Sequence, residues 1–330
     1  MSLMLALWAA SATGLTGRID AVAEQAKLAG VVLVAKGDTV LVEKGYGTID
    51  PAGGAKHDPK ARWRLASITK QVTASLLLRD HAAMLDAPVA RIDHAPLPGK
   101  TLNVTLRQLL THHSGLANPD DTPAAAGGLP AFYTSVNDGL RYCLSKPPVP
   151  GSAFSYNNCD YIVAAAEMNG VRTWPAGMAM ARGNERGVPG YVGGRPEPLF
   201  RLASFGAAGG LIGTARSVYR FDRSLMRGTL LSPPLLAALW TPEGGRSYQA
   251  LGQWVFPGKL AGCAAPKRIV QRDGEIGGVQ TRNYILPDDD MVVIVFTNRG
   301  SDDFPIGEIW QGKGFAYDLL SAGVCGKDIT

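Results

Sequence analysis

The chain has 330 residues, 46% hydrophobic and 18% charged, with 40 glycines, 22 prolines and a formal net charge of +5. That composition excludes disordered, collagen-like and coiled-coil chains and fits one large domain or two closely packed ones. Its 33 lysines and arginines are scattered and no nucleic-acid motif accompanies them, which argues against nucleic-acid binding and leaves a mildly basic globular protein. Leu3 to Ala10 is a short apolar run followed by Ala10-Ser11-Ala12, a small-x-small pattern. Residues 1–12 therefore read as the remnant of a signal peptide, although no Lys or Arg precedes Arg18 to supply a basic n-region. The run is shorter than the ~20 apolar residues of a bilayer span, so no stable membrane span is expected and the protein is read as secreted or periplasmic.

Residues 13–330 then form the domain proper. Leu15 to Leu28 reads as a helix with Ile19, Val22 and Ala26 on one face. Gly30–Ala35 and Thr39–Glu43 are β-rich, and Lys36-Gly37-Asp38 between them is a hairpin signal. Ser67 to Leu85 is a helix with a strongly apolar interior at Leu76, Leu77 and Leu78. From about 86 to 245 helical stretches alternate with Pro- and Gly-rich loops, with almost no β-rich run, and Thr122 to Gly128 reads as a mobile loop. Strands return at Tyr248–Phe256, Arg268–Gln271, Gln280–Leu286 and Met291–Thr297, with Pro287 to Asp290 as a tight turn, before a closing helix over Ile309–Ala322. The pattern predicts an α/β (α+β) fold: an antiparallel sheet from both chain ends (about 13–65 and 246–330) flanked by helices, with a helical lobe (about 66–245) inserted. A ligand groove is expected between the lobes.

Cys143, Cys159, Cys263 and Cys325 show no zinc spacing. In an exported protein they predict two disulfides, preferably Cys143–Cys159 and Cys263–Cys325, which close each loop within one neighbourhood; four buried free thiols in a reducing compartment are the alternative. The six tryptophans and the other aromatics read as core.

Chemistry concentrates in Ser67-Ile68-Thr69-Lys70 and Tyr156-Asn157-Asn158. No other serine has lysine three residues on, and no other tyrosine has asparagine two on. Residues three apart on a helix share a face, so Lys70 comes within reach of the Ser67 hydroxyl. Serine needs an adjacent base, and lysine serves only if burial or a neighbouring cation lowers its pKa. At a helix N-terminus, unpaired N–H groups favour the negative charge that develops. Tyr156 is a second proton carrier, and Asn158 can bond both Lys70 and a substrate. No Gly-x-Ser-x-Gly, His-Glu-x-x-His, phosphate loop or dinucleotide fingerprint is present, so no metal or cofactor is expected.

These blocks resemble the serine β-lactamase and penicillin-binding-protein superfamily, in its class C-like branch with related esterases and D-amino-acid peptidases. The resemblance runs from about Gly30 to Asn298 and includes Trp63–Lys70, Leu109–Leu116 (with His112-His113, structural in the family), Phe154–Asn158, Ala208–Ala215 and Arg272–Gly278. It implies a β-lactamase/transpeptidase-like fold, Ser67 as acylated nucleophile, Lys70 and Tyr156 as the proton-transfer pair with either as the principal base, and Asn158 as substrate and lysine anchor. Arg272 and Gly274 would form the third motif, with the backbone N–H groups of Ser67 and Glu275 as oxyanion hole.

The third motif reads Arg272-Asp273-Gly274 where the family usually has Lys-Thr-Gly or His-x-Gly. Arg272 keeps a positive charge that could lower the Tyr156 pKa. Asp273 would repel a substrate carboxylate unless it turns away and pairs with a cation such as Arg272. From Ala164 to Phe205 the chain is short and rich in Gly, Arg and Pro, implying a rebuilt wall of the groove. The expected activity is hydrolysis of an ester or a D-amino-acid peptide or amide, on a small-molecule or peptide substrate with cell-wall-derived material among the candidates. A true β-lactamase or D-Ala-D-Ala carboxypeptidase, and a catalytically silent penicillin-binding sensor, are the alternatives.

Overall fold

The computed structural model describes residues 2–89, 103–125, 128–134, 139–145, 147–149, 151–167, 173–244 and 247–326, with side chains from residue 14 onward except at 141 and 167. In chain order the elements are α1 (Ser2–Gln25), β1 (Gly30–Lys36), β2 (Thr39–Tyr46), β3 (Trp63–Arg64), α2 (Ile68–His81), α3 (Leu106–Leu110), α4 (Ala131–Thr134), α5 (Gly139–Cys143) and α6 (Asn158–Glu167). There follow β4 (Ala179–Met180), β5 (Tyr191–Val192), β6 (Arg195–Pro196), α7 (Gly206–Gly209), β7 (Leu211–Gly213), α8 (Ala215–Met226) and α9 (Pro233–Leu239). The chain closes with β8 (Gln249–Ala250), β9 (Gln253–Gly258), β10 (Lys267–Ile276), β11 (Val279–Leu286), β12 (Met291–Thr297) and α10 (Phe315–Cys325).

Both chain ends build one seven-stranded antiparallel sheet, ordered β2-β1-β12-β11-β10-β9-β8. Alternation divides its side chains between two cores. Val31, Leu33, Ile285, Ile294 and Phe296 share a cluster with residues of α2 and α8. Val32, Val34, Tyr284, Val293 and Val295 instead meet Ile19 and Val22 of α1 and Leu319 and Leu320 of α10. Every residue of β11 and β12 is buried, because helices cover both faces of the sheet there. This explains why Met291–Thr297 reads as a nearly continuous apolar run rather than an alternating one.

The sheet from both ends, the hairpin at Gly37-Asp38 and the inserted helices match the sequence reading. Four local expectations are corrected. First, α1 starts at Ser2 rather than Leu15 and ends before a left-handed Lys27 at φ 55°. The side chains of the leader run lie outside the described residues. Second, the stretch expected to lack strands contributes β4 and β7, which form a small sheet with β3, and the hairpin β5–β6. These strands have two or three residues each, too short for a periodic signal. Third, Tyr248–Phe256 holds two strands, β8 and β9, turned at Leu251-Gly252. Fourth, the closing helix begins only at Phe315, after a 3-10 turn at Ile309–Gln311 that stops at Gly312 with φ 66°, a left-handed conformation glycine adopts without a Cβ penalty.

Both predicted disulfides are present: Cys143–Cys159 joins α5 to α6, and Cys263–Cys325 joins the β9–β10 loop to the end of α10. Of the loop expected at Thr122–Gly128, residues 126 and 127 lie outside the described residues. Among the described residues no helix is long and apolar enough to cross a membrane.

Candidate active site

Ser67 occupies the N-cap of α2, and the chain reaches it through Ala66 in a left-handed conformation, φ 45°. Such a residue costs on the order of 1–3 kcal/mol and persists only where its surroundings hold it. Here they do. The Leu65 amide donates to Leu211 O at 2.8 Å in β7, and Thr281 Oγ1 of β11 donates to Leu65 O at 3.0 Å. Helix α2 is buried from Ile68 to Leu78 on every side, its polar Thr69, Lys70, Gln71, Thr73 and Ser75 included. Lys70, one turn in, is therefore wholly enclosed. Its Nζ lies 3.1 Å from Ser67 Oγ, 2.6 Å from Asn158 Oδ1 and 2.8 Å from Ala208 O.

Tyr156 arrives from the helical lobe, with its hydroxyl 2.6 Å from Ser67 Oγ. The Leu109–Leu116 block anchors it. His112 sits at φ 63°, and its carbonyl accepts the Ser155 amide at 2.9 Å while its Nδ1 accepts the Asn157 amide at 3.2 Å. Asn157 donates to Leu116 O and Ala117 O at 2.9 and 3.1 Å and caps α6 by accepting the Cys159 amide at 2.7 Å. His112 Nδ1 is also 2.8 Å from Asp160 Oδ2, and Ser114 Oγ donates to the other oxygen of that carboxyl. Burial pushes the Asp160 carboxyl well up, and burial with the nearby Arg272 and Lys70 charges pulls His112 well down. His112 Nδ1 thus faces both the Asn157 amide and the Asp160 carboxyl, while its Nε2 is buried without a hydrogen-bond partner among the described residues. The His112 ring lies 4.6 Å from that of Tyr156 and supports it.

Strand β10 supplies the third side. Arg272 is buried, donates from Nη2 to the Tyr156 hydroxyl at 2.7 Å and from Nε to Ser67 O at 3.0 Å, and stacks on Tyr156 and Trp254 at 5.2 and 4.8 Å. At Gly274 a Cβ would lie 2.6 Å from the Ser67 backbone nitrogen, so only glycine lets the strand approach Ser67 this closely. The Asp273 Oδ1 is buried without a hydrogen-bond partner. No Asp273–Arg272 ion pair occurs among the described residues, because neighbours along β10 point to opposite faces of the sheet. Glu275 is exposed and accepts the Ser301 amide at 3.0 Å.

Ser67, Tyr156, Asn158, Gly274 and Glu275 all line one cavity of about 300 Å³, with Lys70 and Arg272 bonded directly behind them. All seven residues singled out from the sequence thus meet in one place. Its further walls are Asp120, Tyr133, Phe205, Trp254 and Ile276. Tyr133 donates its hydroxyl to Asp120. The sequence reading missed these residues because no local pattern marks them; Ile276 alone lay in a quoted block. Phe154, also at the cavity, opens the tyrosine block but drew no role.

Burial, and next the Arg272 charge, pull Lys70 well below the ordinary lysine range. For Tyr156 burial outweighs Arg272 and the net shift is upward, so the expectation that Arg272 lowers this pKa holds for its own contribution only. The site is a half-buried hydroxyl between a lysine of lowered basicity and a neutral phenol, an arrangement competent to generate a serine nucleophile.

A model of the family described as Beta-lactamase matches residues 15–182 and 165–312. Esterase EstB of Burkholderia gladioli is 29% identical over 225 residues, 57% of this chain and 57% of that protein, so the chain spans just over half the length of that relative. Among solved structures, a D-amino acid amidase from Ochrobactrum anthropi SV3 complexed with L-phenylalanine amide superposes with TM-score 0.72 at 18% identity, covering 93% of this chain and 98% of the amidase. FmtA from Staphylococcus aureus superposes with TM-score 0.71 at 17% identity, covering 93% and 87%. The sheet, the inserted helices and the antiparallel order are those of the β-lactamase/transpeptidase fold, and the chain belongs to the Beta-lactamase family of serine hydrolases.

Proposed function

We propose that the protein hydrolyses an ester, or a D-amino-acid peptide or amide, through an acyl-enzyme on Ser67. The observation that carries this reading is the placement of Ser67 Oγ between Tyr156 OH at 2.6 Å and Lys70 Nζ at 3.1 Å. A neutral Lys70 amine would give its two hydrogens to Asn158 Oδ1 and Ala208 O and keep its lone pair for the Ser67 proton, which makes Lys70 the principal base. Ser67 Oγ attacks the carbonyl carbon, and the oxyanion faces the N–H groups of Ser67 and Glu275; removing one such donor typically costs about 10²–10³ in turnover. The Ser67 proton passes to Lys70, and Tyr156 gives its own proton to the departing alcohol or amine, leaving a phenolate that accepts from Arg272 until the attacking water reprotonates it. Water then releases the acyl group by the reverse proton route.

Asp120, Asp273 and Glu275 on the cavity wall disfavour a substrate carboxylate and favour neutral or amine-bearing substrates. The esterase and amidase names of the relatives agree with that order of preference. The class C-like branch is the part of the family this site suits, since Tyr156 takes the position of a proton carrier and no separate deacylating glutamate is used. Two disulfides support a secreted or periplasmic location.

The test is intact mass after exposure to p-nitrophenyl acetate and, separately, to a fluorescent penicillin, with p-nitrophenol release followed. Rapid ester turnover with little penicillin adduct is the expected result. A lasting penicillin adduct with slow release would replace this reading by a penicillin-binding peptidase or sensor, and the absence of any adduct or turnover with either probe would overturn it.

Arg272 gives a separate check. Its charge lowers both the Lys70 and Tyr156 pKa values, so Arg272→Ala raises both. Lys70 must be neutral to accept a proton, so the acid limb of the kcat/KM profile moves to higher pH and activity at pH 7 falls by about tenfold or more. Arg272→Lys keeps the limb near its wild-type position. An unmoved limb in Arg272→Ala would show that neither group controls it.

A further inference from the structure

Trp63 and Trp240 are buried as the sequence reading expects, but Phe154, Tyr248 and Trp310 are 43%, 53% and 69% exposed. Exposed rings of this size seldom gather without a function. Together with Trp254 and Phe256 they line a second hollow of about 330 Å³. Three separate parts of the chain supply them: the loop before α6, the β8–β9 hairpin, and the 3-10 turn ahead of α10. Phe256 sits 5.9 Å from both Tyr248 and Trp310, at 53° and 75°, so the rings form a shaped wall rather than one stack. Phe154 and Trp254 line both this hollow and the cavity at Ser67, so the two adjoin.

The groove opens on the Tyr156 side of the nucleophile. Phe154 precedes Tyr156 by two residues, and Trp254 carries the Arg272 guanidinium that bonds the Tyr156 hydroxyl. A proton held at Tyr156 goes to the departing group, so that group must lie on this side. Among the described residues the polar groups of the lining are those of Ser247 and Tyr248 and the indole N–H groups of Trp254 and Trp310, and Ser247 Oγ already accepts the Gln249 amide at 3.0 Å. A sugar would need several hydrogen-bonding side chains here; a flat apolar group needs only the rings.

We propose that this groove is the leaving-group subsite and selects esters or amides whose alcohol or amine carries an aryl or bulky apolar group. The inference rests on the acyl-enzyme reading above. In the step it serves, the Ser67 Oγ–carbon bond forms, the carbon–oxygen or carbon–nitrogen bond to the aryl-bearing group breaks, and that group leaves with the proton given by Tyr156.

Ethyl acetate and 2-phenylethyl acetate share an acyl group and have alcohols of similar acidity, so their kcat/KM ratio isolates the groove. The expected ratio favours the aryl ester by about tenfold or more. It falls toward one in Trp310→Ala and recovers in Trp310→Phe. Saturation-transfer NMR on Ser67→Ala should in parallel show 2-phenylethanol bound and ethanol not, with the signal lost when Trp310→Ala is added. A wild-type ratio near one, or a preference untouched by both Trp310→Ala and Tyr248→Ala, overturns the groove. Binding of 2-phenylethanol without turnover of either ester overturns the hydrolase reading and keeps the groove, and absence of both binding and preference removes the groove as well.

Discussion

Ser67→Ala takes up no acyl group and loses at least about 10⁴ of ester turnover, with its far-UV spectrum and melting midpoint close to wild type. The loss is large because Ser67 Oγ is the one atom to which the other parts of the site are directed: Tyr156 OH, Lys70 Nζ and, through the Ser67 carbonyl, Arg272 Nε all converge on this residue. The same convergence predicts non-additivity. Lys70→Ala removes the proton acceptor and should cost nearly as much as Ser67→Ala, and the double variant should cost little more than either alone, because the groups act as a unit. Turnover of p-nitrophenyl acetate by the three proteins decides this. Independent, additive losses would mean that Lys70 only shapes the site. Retained labelling of Ser67→Ala would move the nucleophile elsewhere.

Glu197→Ala should lower the unfolding free energy by about 3–5 kcal/mol in urea, a large part of the roughly 5–15 kcal/mol available to a folded domain. Arg64, on β3 just before Ser67, has a fully buried side chain, and that of Glu197 is 5% exposed. The two form a direct ion pair, and the Glu197 carboxylate also accepts the amides of Gly190 at 3.2 Å and Gly278 at 2.8 Å. Arg64 Nε donates to Ile276 O at 3.0 Å and its guanidinium lies 5.0 Å over Phe200, so the pair ties the β5–β6 region to the end of β10 at the cavity wall. Burial already pulls Arg64 down to about 10. Removing its carboxylate leaves a desolvated cation and two stranded amides, which is why loss of one partner costs far more than the pair contributes. Arg64→Met combined with Glu197→Leu should therefore be less destabilised than Glu197→Ala alone. The opposite order would show that the pair contributes net stability beyond neutralising itself.

Some of this molecule was legible residue by residue. The Lys36-Gly37-Asp38 turn, the apolar helix behind Ser67, the two disulfides and the strands at Gln280 and Met291 are local or composition-driven features, and the structure has them. Two-residue strands such as β4 carry no periodicity, and the break at Gly312 lies inside a pattern that otherwise reads as helix, so both escaped the sequence reading. The exposed aromatics went wrong for a related reason. Composition assigns a tryptophan to the core because most are there, and only the fold places Trp310 at a rim beside Phe256.

By itself the sequence determined which chemistry is available: a serine and a lysine on one helical face, a tyrosine and an asparagine two residues apart, and an arginine in place of the third-motif lysine. Spacing along one helix carries that information because helix geometry is local. Only the tertiary structure decided how the pieces act together. Tyr156 and Arg272 are 89 and 205 residues from Ser67, and the depth of burial that makes Lys70 a usable base comes from the helices and sheet around it. Proximity across such distances and desolvation are properties of packing between elements, and neither is written into any single stretch of chain.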